Sequence, residues 1–234
     1  MNSTHLVVAV DGPSGSGKSS VSRAAATALG VGYLDTGAMY RAVTWWCLAE
    51  GVDLLDQQAV AQATREIPLE MGTDPARPSV VVSGREIEDD IRTTRVSEAV
   101  SKVATNTLVR PILQQLQREL IDEIATRTGG VVAEGRDITT VVAPDADVRI
   151  LLTASVEARL RRRSKELHGH AAEHAVEATR DQIVRRDADD STVSDFMEAA
   201  EGVTLVDTSD LDFDQSVQAL LDVVRSEAPD KVPA

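Results

Sequence analysis

A layered α/β protein, with a mostly parallel sheet and helices on both faces, is what this sequence of 234 residues predicts, on three observations. Short apolar runs alternate with longer segments of helical periodicity, the order that builds parallel strands joined by crossover helices. The first run, LVVAV at Leu6 to Val10, leads into the glycine-rich turn GPSGSGKSS and then into VSRAAATAL, so strand, turn and helix follow one another directly. Aromatic residues make up only 3% of the chain, so the core must be built mainly from Val, Leu, Ile and Ala, as buried parallel strands are.

Each element has its own signal. Val21, Ala24, Ala25, Ala28 and Leu29 form the apolar stripe of the first helix, and Gly30 offers its stop. Val31 to Leu34 is the second strand, ending in Asp35, Thr36 and Gly37, and the helix that follows to Gly51 carries Met39, Val43, Trp46 and Cys47 on one face. A further helix is expected over Gln57 to Arg65. Proline and glycine then break the chain into two β-prone pieces, Leu69 to Met71 and Ser79 to Val82, read as a small antiparallel insertion outside the main sheet. Val96, Ala99, Val100, Val103 and Ala104 restore a helical face, and Pro111 starts a helix with Leu113, Leu116, Leu120 and Ile124 buried until Gly129 and Gly130 end it. Val131 to Ala133, Val148 to Ala154 and Val203 to Ser209 complete five strands. The chain divides accordingly into core (1–66), insertion (67–91), core (92–156), an arginine-rich lid region (157–192), core (193–226) and a flexible tail (227–234).

Bulk properties narrow the partners. Lys plus Arg number 24 against 38 Asp plus Glu, a net charge of −14, which disfavours a broad nucleic-acid or acidic-membrane surface. The single Cys47, inside an apolar helical pattern, reads as a packed thiol and excludes an intrachain disulfide framework. No leader-like segment precedes the first strand and no apolar stretch is long enough to cross a bilayer, so a cytoplasmic protein is expected.

The turn GxxxxGKS directs backbone N–H groups and a helix N-terminus at a polyphosphate, with Lys18 reaching the outer phosphates and the Ser19 hydroxyl reaching Mg²⁺. Gly12, Pro13, Ser14, Gly15, Ser16, Gly17, Lys18, Ser19 and Ser20 are therefore the expected donor site. Polar groups recur at the carboxyl ends of the predicted strands, Asp11 after the first, Asp35 and Thr36 after the second, and Glu134, Arg136 and Asp137 after the third, which is where a doubly wound sheet places ligands. Arg159, Arg161, Arg162, Arg163, Arg185 and Arg186 crowd one charged helical segment of an acidic protein and read as a lid over a polyphosphate. His168, His170 and His174 lack the companion ligands of a metal site and read as exposed residues. With Arg41 and Arg110, this surplus of cations beyond what nucleotide binding needs fits phosphoryl transfer, in which two anionic groups are aligned and screened. No GxSxG motif is present, and the lack of an NKxD sequence weakens the reading as a GTP-operated switch.

The segments DGPSGSGKSSVSR, YLDTGAMYR, IRTTRV with SEAVSKVA, VVAEGRDITTVVAPDADVRILLTAS, RRRS, VRRDADDST and VDTSDL together resemble the bacterial cytidylate kinases over nearly the whole chain. The resemblance implies a P-loop nucleoside monophosphate kinase fold with a five-stranded parallel sheet, a β insertion on the acceptor side and a helical lid. It also implies phosphorylation of CMP or dCMP from MgATP; the expected partners are these small molecules, and the chain is expected to act as a monomer. Carried onto this chain, it implies an acceptor site of Asp35, Thr36, Arg41, Ser101, Arg110, Arg136 and Asp137, with Arg186 and Asp190 near the sugar and phosphates. Lys18, Arg162, Arg163 and Arg186 would act on the transferring group. A kinase for UMP or AMP, or a nucleotide-binding switch, remains the alternative. Where many of these kinases carry an arginine this chain has Val193, and Arg162, Arg163 or Arg185 is expected to compensate for it.

Overall fold

The structure, a computed structural model, describes residues 5–168 and 187–232, without the side chains of 163 and 165–168. In chain order the elements are β1 (Leu6–Asp11), α1 (Lys18–Leu29), β2 (Gly32–Asp35), α2 (Thr36–Ala49), α3 (Gln57–Glu66), β3 (Leu69–Met71), β4 (Val80–Val82), β5 (Arg85–Glu86), α4 (Thr94–Ala104) and α5 (Arg110–Thr128). They continue with β6 (Gly130–Gly135), β7 (Val148–Thr153), α6 (Val156–His168), β8 (Thr204–Asp207) and α7 (Phe213–Glu227). Five strands form a parallel sheet in the order β2-β6-β1-β7-β8, as the alternation of apolar runs and helices predicts.

Successive side chains of a strand point to opposite faces, and the two cores follow that alternation. Ala9 of β1 and Ala133 of β6 lie in one cluster with Met39, Val43 and Cys47 of α2 and Leu113 and Ile124 of α5. Their neighbours Val8, Val10 and Val132 lie in the other, with Val21, Ala25 and Leu29 of α1 and Leu220, Leu221 and Val224 of α7. Both faces of the central strands are thus sealed, which explains why their sequences are continuous apolar runs. Register then fixes the site: Asp11 pairs with Gly135 and Asp35 with Glu134, so the carboxyl ends of β1, β2 and β6 finish at one edge, where the strand order reverses direction.

The structure corrects several expectations. The buried stripe of α5 is Leu113, Gln117, Ile121, Ile124 and Ala125, whereas Leu116 and Leu120 are only partly buried, because the helix turns its face toward β2 and β6. The insertion has a third strand, β5, joined to β4 through Ser83 and Gly84, whose φ values of 53° and 77° make the tight turn that a short hairpin needs. A π-helical turn, Ile138–Val142, follows β6. A last helix, α7, is not among the elements expected from the sequence, although DFDQ carries its start signal: Asp212 accepts from the Gln215 N–H while the Gln215 side chain accepts from the Asp212 N–H. The segment after it is no loose tail as far as Val232, because Ala228 is buried, Lys231 pairs with Asp147 at 2.5 Å and Val232 packs on the core.

Asp11 is also reassigned. Its carboxylate turns away from the ligand edge and accepts from the backbone of Ile138 at 2.9 Å, and from the N–H and hydroxyl of Thr139 at 2.8 and 2.6 Å, pinning the turn after β6 to β1. Burial pushes its pKa up to about 6, against those hydrogen bonds, from the ordinary 3.8. A carboxyl with a raised folded-state pKa contributes stability below its unfolded pKa that is lost as pH rises through the folded value. Asp11→Ala is therefore expected to lower the unfolding free energy by about 3 kcal/mol at pH 5 and by less at pH 8. Urea unfolding at the two pH values checks this, and an equal penalty at both would remove the proton linkage from Asp11.

Candidate active site

The glycine-rich turn is shaped by contacts that only glycine tolerates. Gly15 and Gly17 adopt φ of 76° and 89°, and a Cβ on Gly15 would stand 2.7 Å from the Arg159 carbonyl oxygen. A Cβ on Gly12 would stand 2.2 Å from the Leu152 carbonyl oxygen, so this glycine serves the packing of the turn on β7. Lys18 opens α1, and the turn and the helix N-terminus face a cleft of about 1360 Å³. Ser14 to Ser20 line it from one side, and Asp35, Thr36, Arg41, Ser101, Arg110, Arg136, Asp137 and Asp190 from the other. The cleft brings together the described donor and acceptor residues expected from the sequence, apart from Gly12 and Pro13, which do not line it; Arg186 lies outside the described residues.

Glu134 is the residue at the centre of the edge. Its Oε1 accepts from the Ser19 hydroxyl at 2.5 Å and from the Tyr33 hydroxyl at 3.1 Å, and Oε2 lies 3.9 Å from Lys18 Nζ. Burial and then the charge of Asp35 push its pKa up to about 7, against Lys18 and the two hydroxyl bonds. The sequence places Glu134 at a strand end without a role; that it stands opposite Asp35 appears only in the register of the folded sheet. An acidic hydroxyl-carboxylate pair beside a phosphate turn is a hard-oxygen donor set of the kind Mg²⁺ accepts. Among the described residues no cluster of His, Cys, Asp or Glu could hold a metal by itself, so most of the oxygens around a Mg²⁺ here would come from the nucleotide and water.

The acceptor side is held by hydrogen bonds to fixed groups. Asp35 caps α2 by accepting from the Ala38 N–H at 2.9 Å, and the Thr36 hydroxyl donates to the Glu134 carbonyl at 2.8 Å. Arg41 is buried and donates to the Ile91 carbonyl at 3.3 Å and to the Ser97 hydroxyl at 3.0 Å, which ties α2 to α4. Arg110 donates to the Ala104 carbonyl, to Asp137 at 2.6 Å and to the Ser194 hydroxyl at 2.9 Å. Gln114, one turn further along α5, donates to the same Asp137 oxygen at 2.8 Å. Arg92, a cleft residue that the sequence did not single out, bridges Asp35 at 3.5 Å and Glu88 at 2.6 Å and so links the insertion to β2.

Arg136 spans the cleft: it donates to the Ser14 hydroxyl at 2.7 Å, pairs with Asp187 and Asp190, and lies over the Phe196 ring at 4.7 Å. Arg162 is not a free lid cation. It donates to the carbonyls of Ser16, Thr208 and Leu211 and to the Thr208 hydroxyl, fastening α6 to the donor turn and to the loop after β8. Burial and then the neighbouring Arg161 lower its pKa. The Arg163 side chain, Arg185, Arg186, His170 and His174 lie outside the described residues. Val193 does not line the cleft, whereas Asp190 and Ser194 do; its own N–H donates to the Asp190 carbonyl at 3.2 Å, and the Ser194 hydroxyl beside it accepts from Arg110.

Comparison with known proteins agrees with this geometry. A family model described as cytidylate kinase matches residues 8–226. The cytidylate kinase of Rhodococcus jostii is 49% identical over 228 residues, 96% of each chain, and that of Rhodococcus opacus 48% over 226 residues, again 96% of each. The cytidylate kinase of Streptomyces griseus is 45% identical over 221 residues, 94% of this chain and 92% of its own. A phosphate turn and an arginine-lined acceptor edge facing one cleft, together with near-full-length matches of this strength, mean that the chain belongs to the cytidylate kinase family.

Proposed function

We propose that this protein transfers the γ-phosphoryl group of ATP to CMP or dCMP inside the one cleft, acting as a nucleoside monophosphate kinase. The observation that carries this reading is the 2.7 Å hydrogen bond from Arg136 to Ser14. A cation from the acceptor edge already touches the donor turn, so phosphates held by the two must lie against each other. Fixing both in one frame replaces a bimolecular encounter by an aligned one. The donor phosphates lie along Ser14 to Ser20 with Lys18 on the outer ones, while Arg41 and Arg136 hold the acceptor phosphate. Asp137, fixed by Arg110 and Gln114, faces the base, with Ser101 beside it; Asp190 lies toward the sugar. Arg162, which also lines the cleft, holds the turn in shape through the Ser16 carbonyl.

Ser19 and Glu134 would hold Mg²⁺, which when bound supplies a fixed positive centre for the phosphate oxygens. The insertion β3-β4-β5 closes over the acceptor, which keeps water from competing with it. The protein acts as a monomer on small molecules, and none of its described helices is long and apolar enough to cross a membrane.

Release of ADP in a coupled assay is expected with CMP and dCMP and not with AMP, UMP or shikimate; a response to AMP alone would overturn the acceptor assignment. Lys18→Ala should fold normally and lose about 100-fold or more in turnover, as removal of a preorganised phosphate contact does. Arg136→Ala should raise the CMP requirement at least about tenfold, a loss of transition-state and acceptor binding near 1.4 kcal/mol or more, with a smaller effect on ATP. Near-parental kinetics in either variant would take that residue out of the site.

Glu134 adds a pH-dependent outcome. With its pKa near 7, the ligand-free carboxyl is largely protonated at pH 6.5, and MgATP favours the ionised form. Binding at pH 6.5 should release more protons in the unsubstituted enzyme than in Glu134→Gln, and the difference should vanish by pH 8.5. Calorimetry in two buffers of unlike ionisation enthalpy measures it, and an equal proton count in the two proteins at pH 6.5 would contradict the role given to Glu134.

A further inference from the structure

The contacts around Ser14 carry an inference that reaches past the two binding sites. All three polar groups of this residue are engaged by side chains from distant parts of the chain. Its N–H donates to Asp187 Oδ1 at 3.0 Å, its carbonyl accepts from Arg159 at 3.0 Å, and its hydroxyl accepts from Arg136 at 2.7 Å. Asp187 is common to the whole arrangement. Its Oδ1 also lies 3.3 Å from Arg136 Nη1, and its Oδ2 accepts from Arg159 at 2.5 Å. Asp187 and Arg159 are buried and Arg136 is largely so, with side-chain exposures of 7%, 5% and 13%.

Two guanidinium groups meeting at one residue of a phosphate turn repel each other, and so little exposed they are poorly screened by water. The Asp187 carboxylate lies between them and, with Asp190 paired to Arg136 as well, offsets the repulsion; of the two carboxylates only Asp187 also holds Arg159 and the Ser14 N–H. Phe196, itself buried, lies under Arg136 and restricts that guanidinium to one orientation. Arg136 therefore has no independent position. A phosphate that draws it toward the acceptor edge must loosen its pair with Asp187 Oδ1, the same oxygen that holds the Ser14 N–H at the lip of the donor turn.

We propose that Asp187 is a positioning residue that couples the two nucleotide sites: acceptor phosphate on Arg136 changes the hold of Asp187 on Ser14, and with it the affinity of the donor turn for ATP. The inference rests on the assignment of Arg136 to the acceptor. By reciprocity, a donor in place must change the affinity for CMP by the same factor. The coupling is read as the ratio of CMP dissociation constants without and with a saturating β,γ-methylene ATP analogue, measured by calorimetry on the full chain with Mg²⁺. A ratio of about 10 is expected for the unsubstituted protein, within the usual range for coupled sites.

Asp187→Asn keeps an acceptor for the Ser14 N–H but removes the charge between the arginines, and Asp187→Ala removes both. Each should bring the ratio to within about twofold of one, while CMP affinity in the absence of the donor analogue changes by less than the ratio does. A merely structural role for Asp187 would lower the melting temperature and leave the ratio intact. An unchanged ratio in folded Asp187→Asn, loss of fold in both variants, or a ratio near one in the unsubstituted protein would overturn the proposal. Arg136→Ala separates the two levels: unchanged CMP affinity there defeats the acceptor assignment itself, whereas weakened CMP binding with full coupling in both Asp187 variants defeats only the role of Asp187.

Discussion

Buried carboxylates between cations are the interaction on which the rest of this site depends. A cleft that takes two polyanions needs several positive side chains close together, and before any ligand arrives those side chains repel. Here Glu134 sits against Lys18, Asp137 against Arg110, and Asp187 and Asp190 against Arg136, with Arg159 sharing Asp187. Each pair has little solvent around it, so breaking one by removing a single partner would leave an uncompensated buried charge. The pairs hold the cations where phosphates will need them, which is the preorganisation that makes electrostatic catalysis effective.

The sheet makes this possible through its register. Ending β2 and β6 together puts Asp35 opposite Glu134, and ending β1 and β6 together puts the glycine-rich turn beside Arg136 and Asp137. The two hydrophobic clusters on either face of the sheet fix these strand ends relative to α1 and α2, whose N-terminal residues Lys18 and Thr36 enter the cleft. The anchoring of Ile138 and Thr139 by Asp11 then sets the direction in which the chain leaves β6, and so the placement of Arg136 and Asp137 just before it.

Much of this was legible in the sequence, for identifiable reasons. The five strands were readable because strands covered on both faces are continuous apolar runs, and the donor turn because its glycines and Lys18 have a fixed spacing. The acceptor arginines were found as charge that no apolar pattern required, sharpened by the resemblance to a family. What the sequence did not reveal depends on contacts across long separations. Asp11 looked like a ligand-edge carboxylate because every strand-end Asp does, and only the folded chain turns it toward Thr139, 128 residues away. Arg162 resembled a lid cation until its bonds to Ser16, Thr208 and Leu211 gave it a supporting place. Phe196 could not be connected with Arg136 from spacing at all, and the exposed two-residue strand β5 was too short to leave a pattern.

The central claim is that donor and acceptor phosphates meet in one cleft, bridged by cations from both sides. A single molecule carrying adenosine and cytidine joined through five phosphates tests it directly. Calorimetric titration should give one molecule bound per chain, competitive with both ATP and CMP, and weakened by loss of either Lys18 or Arg136. Competition with ATP alone, or a second molecule bound per chain, would contradict the shared cleft.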